Sequence, residues 1–293
     1  MTGRKMVGRK DQPSGAWLAV PGNQKRLLES ATGADCDGVV IDLEDAVPEN
    51  AKAAARVATG EILKREFHSG WVAVRINAIS GSDWLEDLLS LRKSRLDAVV
   101  IPKVKSPDDV FAVDAVLSTW DPERRVGIQA CIESAVALSG ITAITLASDR
   151  LEALHFSGLD FCADSGFDFA SEAALAYPRA ALSVAAHAAG IVCVDCAYLK
   201  YQDLSGLLQD ALEARRLGYR RKWAIHPKQI ATIRQAFAPG PEAARRADDV
   251  RKAYEAAKIR GDGVIALEGE MVDEATLRLL DSETGKRLKE SKD

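Results

Sequence analysis

The chain has 293 residues, 47% of them hydrophobic, which is ample for a large core in one α/β barrel or two smaller domains. A net charge of −4 argues against a nucleic-acid partner, and no apolar run reaches the roughly 18 residues of a membrane span. Five cysteines in a chain this long point to reduced thiols in a cytoplasm, not to a disulfide framework.

Residues 1–15, MTGRKMVGRKDQPSG, are basic and lack an apolar signal core, so they read as a flexible, solvated tail. Eight short apolar runs follow: WLAVPG (17–22), GVVIDLED (38–45), WVAVRIN (71–77), DAVVIPKV (97–104), VGIQACIES (126–134), LEALHFSGLD (151–160), GIVCVDCAY (190–198) and KWAIHP (222–227). Between them lie stretches of helical spacing such as DWLEDLLSLRKS and DDVFAVDAVLSTW. Regular strand-then-helix alternation means a parallel sheet, and eight units fit a closed (β/α)8 TIM barrel over residues 16–237 better than an open doubly wound sheet. No GxGxxG follows the first strand, which removes the usual dinucleotide reading. Residues 238–293 change character: a long helix, a break at Gly261 and Gly263, the extended piece GVIALEGEMV and a last helix, DEATLRLLDS. This segment is expected to be a helical and extended lid that packs on the barrel or on a neighbouring subunit, with a frayed end.

Barrel enzymes place their chemistry at the C-terminal ends of the strands. The polar residues read there are Asp42, Glu44 and Asp45, then Arg75 and Asn77, Lys103, Glu133, Asp160, Asp195 and His226. Strand alternation puts Gln129, Cys131 and Glu133 on one face, Ala73 with Arg75, and Asp42 with Glu44. Glu133 and Asp160 each end an apolar run and stand 27 residues apart (160 − 133), about one strand–helix–strand unit. A single such acid could cap a helix or pair with a lysine. Two on consecutive strands, with Arg75 at the same rim, favour a divalent cation, and an all-oxygen set suits Mg2+. Arg75 offers a fork for a carboxylate or a developing enolate oxygen, which makes it both a catalytic and a substrate-binding candidate.

The acids at 42, 44 and 45 would be relieved either by a cation or by ion pairs with Arg75 and Lys103; the ion pairs are favoured for Glu44 and Asp45, and Asp42 is kept as a catalytic candidate. Lys103 reads more simply as a salt-bridge partner than as a Schiff-base lysine. His226, before a proline, reads as a rim or capping residue, and His68, His155 and His187 as surface or satisfied core residues. Cys193 and Cys196 form a CxxC whose members would face opposite sides of a strand, so it is discounted.

The segments LAVPGN, VVIDLEDAV, VRIN, VVIPKV, ACIES, SGLDFCAD, VDCAY, LGYRRKWAIHPKQI and GEMVD, spread from about Trp17 to Leu280, resemble the citrate lyase beta-subunit family, within the group of malyl-CoA and citramalyl-CoA lyases. Arg221 and Cys196 stand where many relatives carry glycine. The resemblance implies a (β/α)8 barrel, Mg2+ on Glu133 and Asp160, substrate held by Arg75 and Glu133, and an aspartate of a neighbouring subunit's C-terminal segment, here Asp273, reaching the site. It implies retro-Claisen cleavage of a 3-hydroxyacyl thioester with coenzyme A as part of the substrate, in a homo-oligomer, a trimer or a multiple of it, that shares its lid between subunits. Lys25 and Arg26, after PGN, are the positions expected to meet the phosphates of coenzyme A. Alternatives of the same resemblance are a citrate lyase beta subunit acting on a carrier-protein thioester and a metal-dependent pyruvate aldolase; a non-catalytic acyl-CoA-binding barrel is the reading from another class.

Overall fold

The computed structural model describes residues 14–238 and 240–284, so most of the expected tail, and the last nine residues, lie outside the described residues. The chain divides into two compact units, one through Phe237 and one from Ala238.

In the first unit eight parallel strands close into a barrel in chain order. They are β1 (Gly15–Pro21), β2 (Gly38–Asp42), β3 (Val72–Arg75), β4 (Ala98–Val104), β5 (Gly127–Ile132), β6 (Leu151–Phe156), β7 (Val192–Asp195) and β8 (Arg221–Ala224). Closure comes from β8 pairing with β1, Trp17 opposite Trp223. The connecting helices are α1 (Lys25–Thr32), α2 (Lys52–Ile62), α3 (Asp83–Leu91), α4 (Pro107–Ser118), α5 (Ala135–Ser139), α6 (Ile141–Thr145), α7 (Gly158–Ser165), α8 (Glu172–Ala188), α9 (Leu204–Arg216) and α10 (Ile230–Phe237).

The period of two decides what each strand shows to which side. Outward residues such as Leu18, Val39, Ile41, Val72, Val74, Val99, Ile101, Ile128 and Ile132 join the main apolar core under the helices. Trp17, Val40, Ala73, Ala98, Val100 and Cys131 form a separate cluster, with Trp223 packed against it, that fills the barrel. Trp17 fits because Gly38 opposes it: a Cβ on Gly38 would come within 2.8 Å of the indole. The buried Arg221 guanidinium lies over the same ring, 4.4 Å from its centroid.

β4 shows how one residue redirects a strand. Pro102 has no N–H to give the ladder, so the β4–β5 register jumps from Ile101 to Val104 and Lys103 takes a left-handed φ of 51°. On the outer side, β7 and β8 are tied to the helices by ions. Lys222 is wholly buried and its Nζ donates to Asp195 Oδ2 (2.5 Å) and Cys196 O (2.6 Å), with Asp210 Oδ2 at 2.6 Å, while Arg179 donates to Asp195 (3.0 Å). Removing one member would strand a buried charge, at a cost of about 3–5 kcal/mol.

The second unit pairs α11 (Pro241–Ile259) with α12 (Glu274–Thr284) and a two-stranded antiparallel ribbon of β9 (Ile265–Leu267) and β10 (Glu270–Val272). The extended piece read from sequence is thus a hairpin. Glu268 and Gly269 turn it, both at positive φ, 50° and 85°, as a two-residue hairpin loop requires. Val250, Tyr254, Val272 and Leu277 form its small core.

Candidate active site

A cavity of about 370 Å³ opens at the C-terminal ends of the strands. Its wall includes Asp42, Arg75, His155, Ser157, Asp160 and Trp223, with apolar cover from Leu159, Phe169, Leu199 and Ile225.

Arg75 ends β3 directly opposite Asp42 at the end of β2, so the register alone brings them together. Arg75 Nε donates to Asp42 Oδ1 at 2.7 Å and Nη2 to Oδ2 at 2.6 Å, a bidentate pair. Asp42 also accepts the backbone N–H groups of Glu44 (2.9 Å) and Ala46 (3.1 Å). Burial works against its charge, but Arg75 and these donors hold its carboxyl below the usual range. Arg75 is likewise raised above its ordinary value, because Asp42 and Glu44 outweigh its own burial. Glu44 pairs with Arg75 Nη1 (3.3 Å) and with Lys103 Nζ (2.7 Å), and Lys103 reaches Asp45 (3.0 Å). Both cations therefore do what the ion-pair reading of the acidic cluster expects. Lys103 takes its left-handed φ at the end of β4, and its Nζ reaches past β3 to Glu44 and Asp45 beyond the end of β2.

Glu133 follows β5 and is 4% exposed. Ser157 Oγ donates to its Oε1 at 2.9 Å, while Oε2 is buried with no hydrogen-bond partner. Burial, then the charge of Asp160, then that of Glu44, push its acid up to about 7. Asp160 does not sit on a strand as its apolar run suggested. β6 stops at Phe156, and Asp160 lies in the first turn of α7, where the helix N-terminus favours a negative charge. The sequence pattern misled because Ser157 and Gly158 turn the chain into the helix within two residues. The two acids still act on one another, since Asp160 is the strongest charge felt by Glu133.

An orphaned carboxylate oxygen, in a pair whose acids repel, is a fit for a divalent cation. Among the described residues no group of three or more His, Cys, Asp or Glu side chains gathers for a metal. Mg2+ needs no such group, because it keeps several waters and takes one or two carboxylates.

The remaining candidates sit as follows. Lys25 and Arg26 are exposed in the first turn of α1, at the same end of the barrel but outside the cavity wall. Asp273 belongs to the second unit, exposed, where its Oδ1 caps α12 by accepting Thr276 N (2.9 Å) and Oγ1 (3.0 Å); those bonds hold its carboxyl below the ordinary value. His226 caps the short turn Pro227–Gln229 by accepting Lys228 N at 3.1 Å. His155 is a core residue with both ring nitrogens bonded, yet it and Trp223 also line the cavity. Trp223 was within reach of strand alternation, two residues after Arg221 on β8. Ser157, which orients Glu133, carries no signal before the strand end is known.

The closed parallel barrel thus carries, at the C-terminal ends of its strands, an arginine clamped by Asp42 and the interacting acids Glu133 and Asp160, the end at which barrel enzymes place their chemistry. The chain belongs to the HpcH/HpaI aldolase/citrate lyase family, whose pattern matches residues 15–227. It is 31% identical to the L-malyl-CoA/beta-methylmalyl-CoA lyase of Cereibacter sphaeroides, covering 91% of this chain and 92% of that one. It is also 31% identical to the citrate lyase subunit beta of Leuconostoc mesenteroides subsp. cremoris, covering 87% of each. A solved structure of CitE from Mycobacterium tuberculosis, in complex with magnesium, acetoacetate and coenzyme A, is 28% identical with a TM-score of 0.78, over 94% of this chain and 99% of that one. The expected fold and the expected class, a carbon–carbon lyase, agree with these relatives.

Proposed function

We propose that the chain cleaves the carbon–carbon bond of a 3-hydroxyacyl-CoA thioester of the malyl-CoA or citramalyl-CoA type, with Mg2+ held by Glu133 and Asp160. The observation that carries this is the buried, unpartnered oxygen of Glu133, which feels the charge of Asp160, itself a residue of the cavity wall that Arg75 also lines. Bound Mg2+ would supply positive charge to oxygens that become more negative as the bond breaks, a contribution of several kcal/mol, on the order of 3–4. Arg75 presents a permanent charge to the thioester oxygen as it becomes an enolate. Asp42, with both oxygens occupied, acts in this reading by holding that guanidinium in place. The aldol hydroxyl must lose a proton and the enolate carbon must gain one. Asp273, delivered from an adjacent subunit of a homo-oligomer, would supply the second only after its carboxylate has itself taken up a proton at the site, and the segment around it would exclude water that hydrolyses the thioester. Lys25 and Arg26, exposed in the first turn of α1, are the residues this reading assigns to the phosphates of coenzyme A. The setting is cytoplasmic, in keeping with five free cysteines; among the described residues no helix is long and apolar enough to cross a membrane.

The test is cleavage of malyl-CoA and citramalyl-CoA by the purified chain with and without Mg2+, repeated for Glu133→Gln and Asp160→Asn. Each variant is expected to lose turnover by about 100-fold or more, together with Mg2+ affinity. Unchanged turnover in both would remove the metal assignment. Activity only on a carrier-protein thioester would favour the citrate lyase subunit reading, and thioester binding without cleavage the non-catalytic barrel.

A further inference from the structure

Arg75 is held along one edge by the two parallel hydrogen bonds to Asp42 and is reached at Nη1 by Glu44 at 3.3 Å; both partners act at the edge of the guanidinium and neither covers its faces. One face has a cover. Trp223 lies there, with the guanidinium carbon 5.1 Å from the ring centroid.

Trp223 is itself held. Its Nε1–H donates to His155 Nδ1 at 2.9 Å, and the two rings meet edge-on at 82°. An indole N–H can only donate, so His155 Nδ1 is the acceptor and the ring proton sits on Nε2. His155 Nε2 then donates to Gln129 Oε1 at 2.7 Å, which orients the amide, and Gln129 Nε2 donates to Glu152 Oε1 at 2.8 Å. Each bond fixes the direction of the next. The chain is buried: Gln129 is 0%, His155 3% and Glu152 6% exposed. Room for its last member is made by Gly127, where a Cβ would lie 2.3 Å from Glu152 Oε2. Burial, then the charges of Arg221 and Arg75, push the His155 imidazole down to about 3, so the ring is neutral at neutral pH as this polarity demands.

We propose that Trp223, held by the chain His155–Gln129–Glu152, is a positioning residue that sets the tilt of Arg75 toward the reacting oxygen. This rests on the lyase reading for what Arg75 does, but not for where it is held.

Two variants separate the parts. Trp223→Phe keeps a ring face under Arg75 and loses the N–H; Trp223→Leu loses both. The kcat for thioester cleavage is expected to fall about 5-fold in the first and about 100-fold in the second, the scale of a small misplacement of a reacting group, with KM and Mg2+ affinity within about 2-fold of the parent chain. Nitrogen-15 NMR of the imidazoles at pH 7 is expected to show His155 protonated at Nε2, with the Nδ1 resonance moving toward its unbonded value in Trp223→Phe. Hydrogen exchange at Arg75 Nε is expected to quicken at least about 10-fold in Trp223→Leu.

A ring proton on Nδ1, an unchanged kcat in Trp223→Phe, or Arg75 exchange unaltered in a folded Trp223→Leu would each overturn the proposal. If Trp223→Leu does not fold, the Phe variant and the imidazole spectrum decide. If the parent chain cleaves neither thioester, the lyase reading fails by itself, and the imidazole and exchange measurements still judge the platform.

Discussion

Buried ionisable groups in this barrel keep the protonation state that their neighbours dictate. Arg75 stays charged because Asp42 and Glu44 surround it; His155 stays neutral because it lies in a dry wall between Arg75 and Arg221, its own bonds running to Trp223, Gln129 and through it to Glu152. The neutral histidine makes stability depend on pH. An unfolded imidazole takes its proton near 6.5, the folded one only near 3, so between those values the unfolded chain binds more protons. The contribution is complete above 6.5 and is lost as pH falls toward 3, by about 1.4 kcal/mol per pH unit. Glu133, raised to about 7, takes its proton in the folded chain over much of the same interval and works with the opposite sign, so the His155 contribution is read as a difference: denaturant titrations at pH 7, 6 and 5 are expected to show the parent chain losing stability relative to His155→Gln as pH falls. At this scale Arg75, Glu133, the pairing of Lys103 and the capping by His226 were legible, because a strand end and an alternation place them. The chain from Trp223 to Glu152 was not: it joins three strands through a register that one strand's residues do not encode.

Among elements, the strands were readable as Val- and Ile-rich runs, and their closed order followed from counting them. The error was at the end of β6, where Ser157 and Gly158 pass straight into α7 and carry Asp160 off the strand. An apolar run that continues through LDF looks the same whether it is extended or the first turn of a helix. The inside of the barrel is tight enough to test. Gly38→Ala would push a methyl group to 2.8 Å from the Trp17 ring, with both residues buried. It is expected to lower stability by about 1–3 kcal/mol. Gly33→Ala, at a position with nothing within 4 Å, is expected to change it little. Urea midpoints at unchanged slope are the measurement.

For the whole molecule, the proposed reaction asks how Asp273, a residue of the other compact unit, would serve a barrel that holds Arg75 and the acid pair. The proposed sharing between subunits predicts complementation. Arg75→Met and Asp273→Asn, each inactive as a pure protein, are expected to regain measurable turnover when co-expressed, because a mixed oligomer can combine an intact barrel with an intact neighbouring lid. Absence of any regain, with mixed oligomers demonstrated, would return Asp273 to its own subunit or remove it from the reaction. The strand-and-helix pattern changes from about residue 227 and a boundary was expected at 237/238, where the second compact unit begins, whereas its hairpin was not legible, since Glu268 in a left-handed turn carries little warning. The cation proposed for the lone Glu133 oxygen would matter beyond catalysis. A folded chain that keeps two mutually repelling acids is worth more to itself when a cation sits between them, and whatever binds only the native form slows its loss. Scarcity of the ion would then show first as faster proteolytic clearance of the protein, before substrate ever began to accumulate.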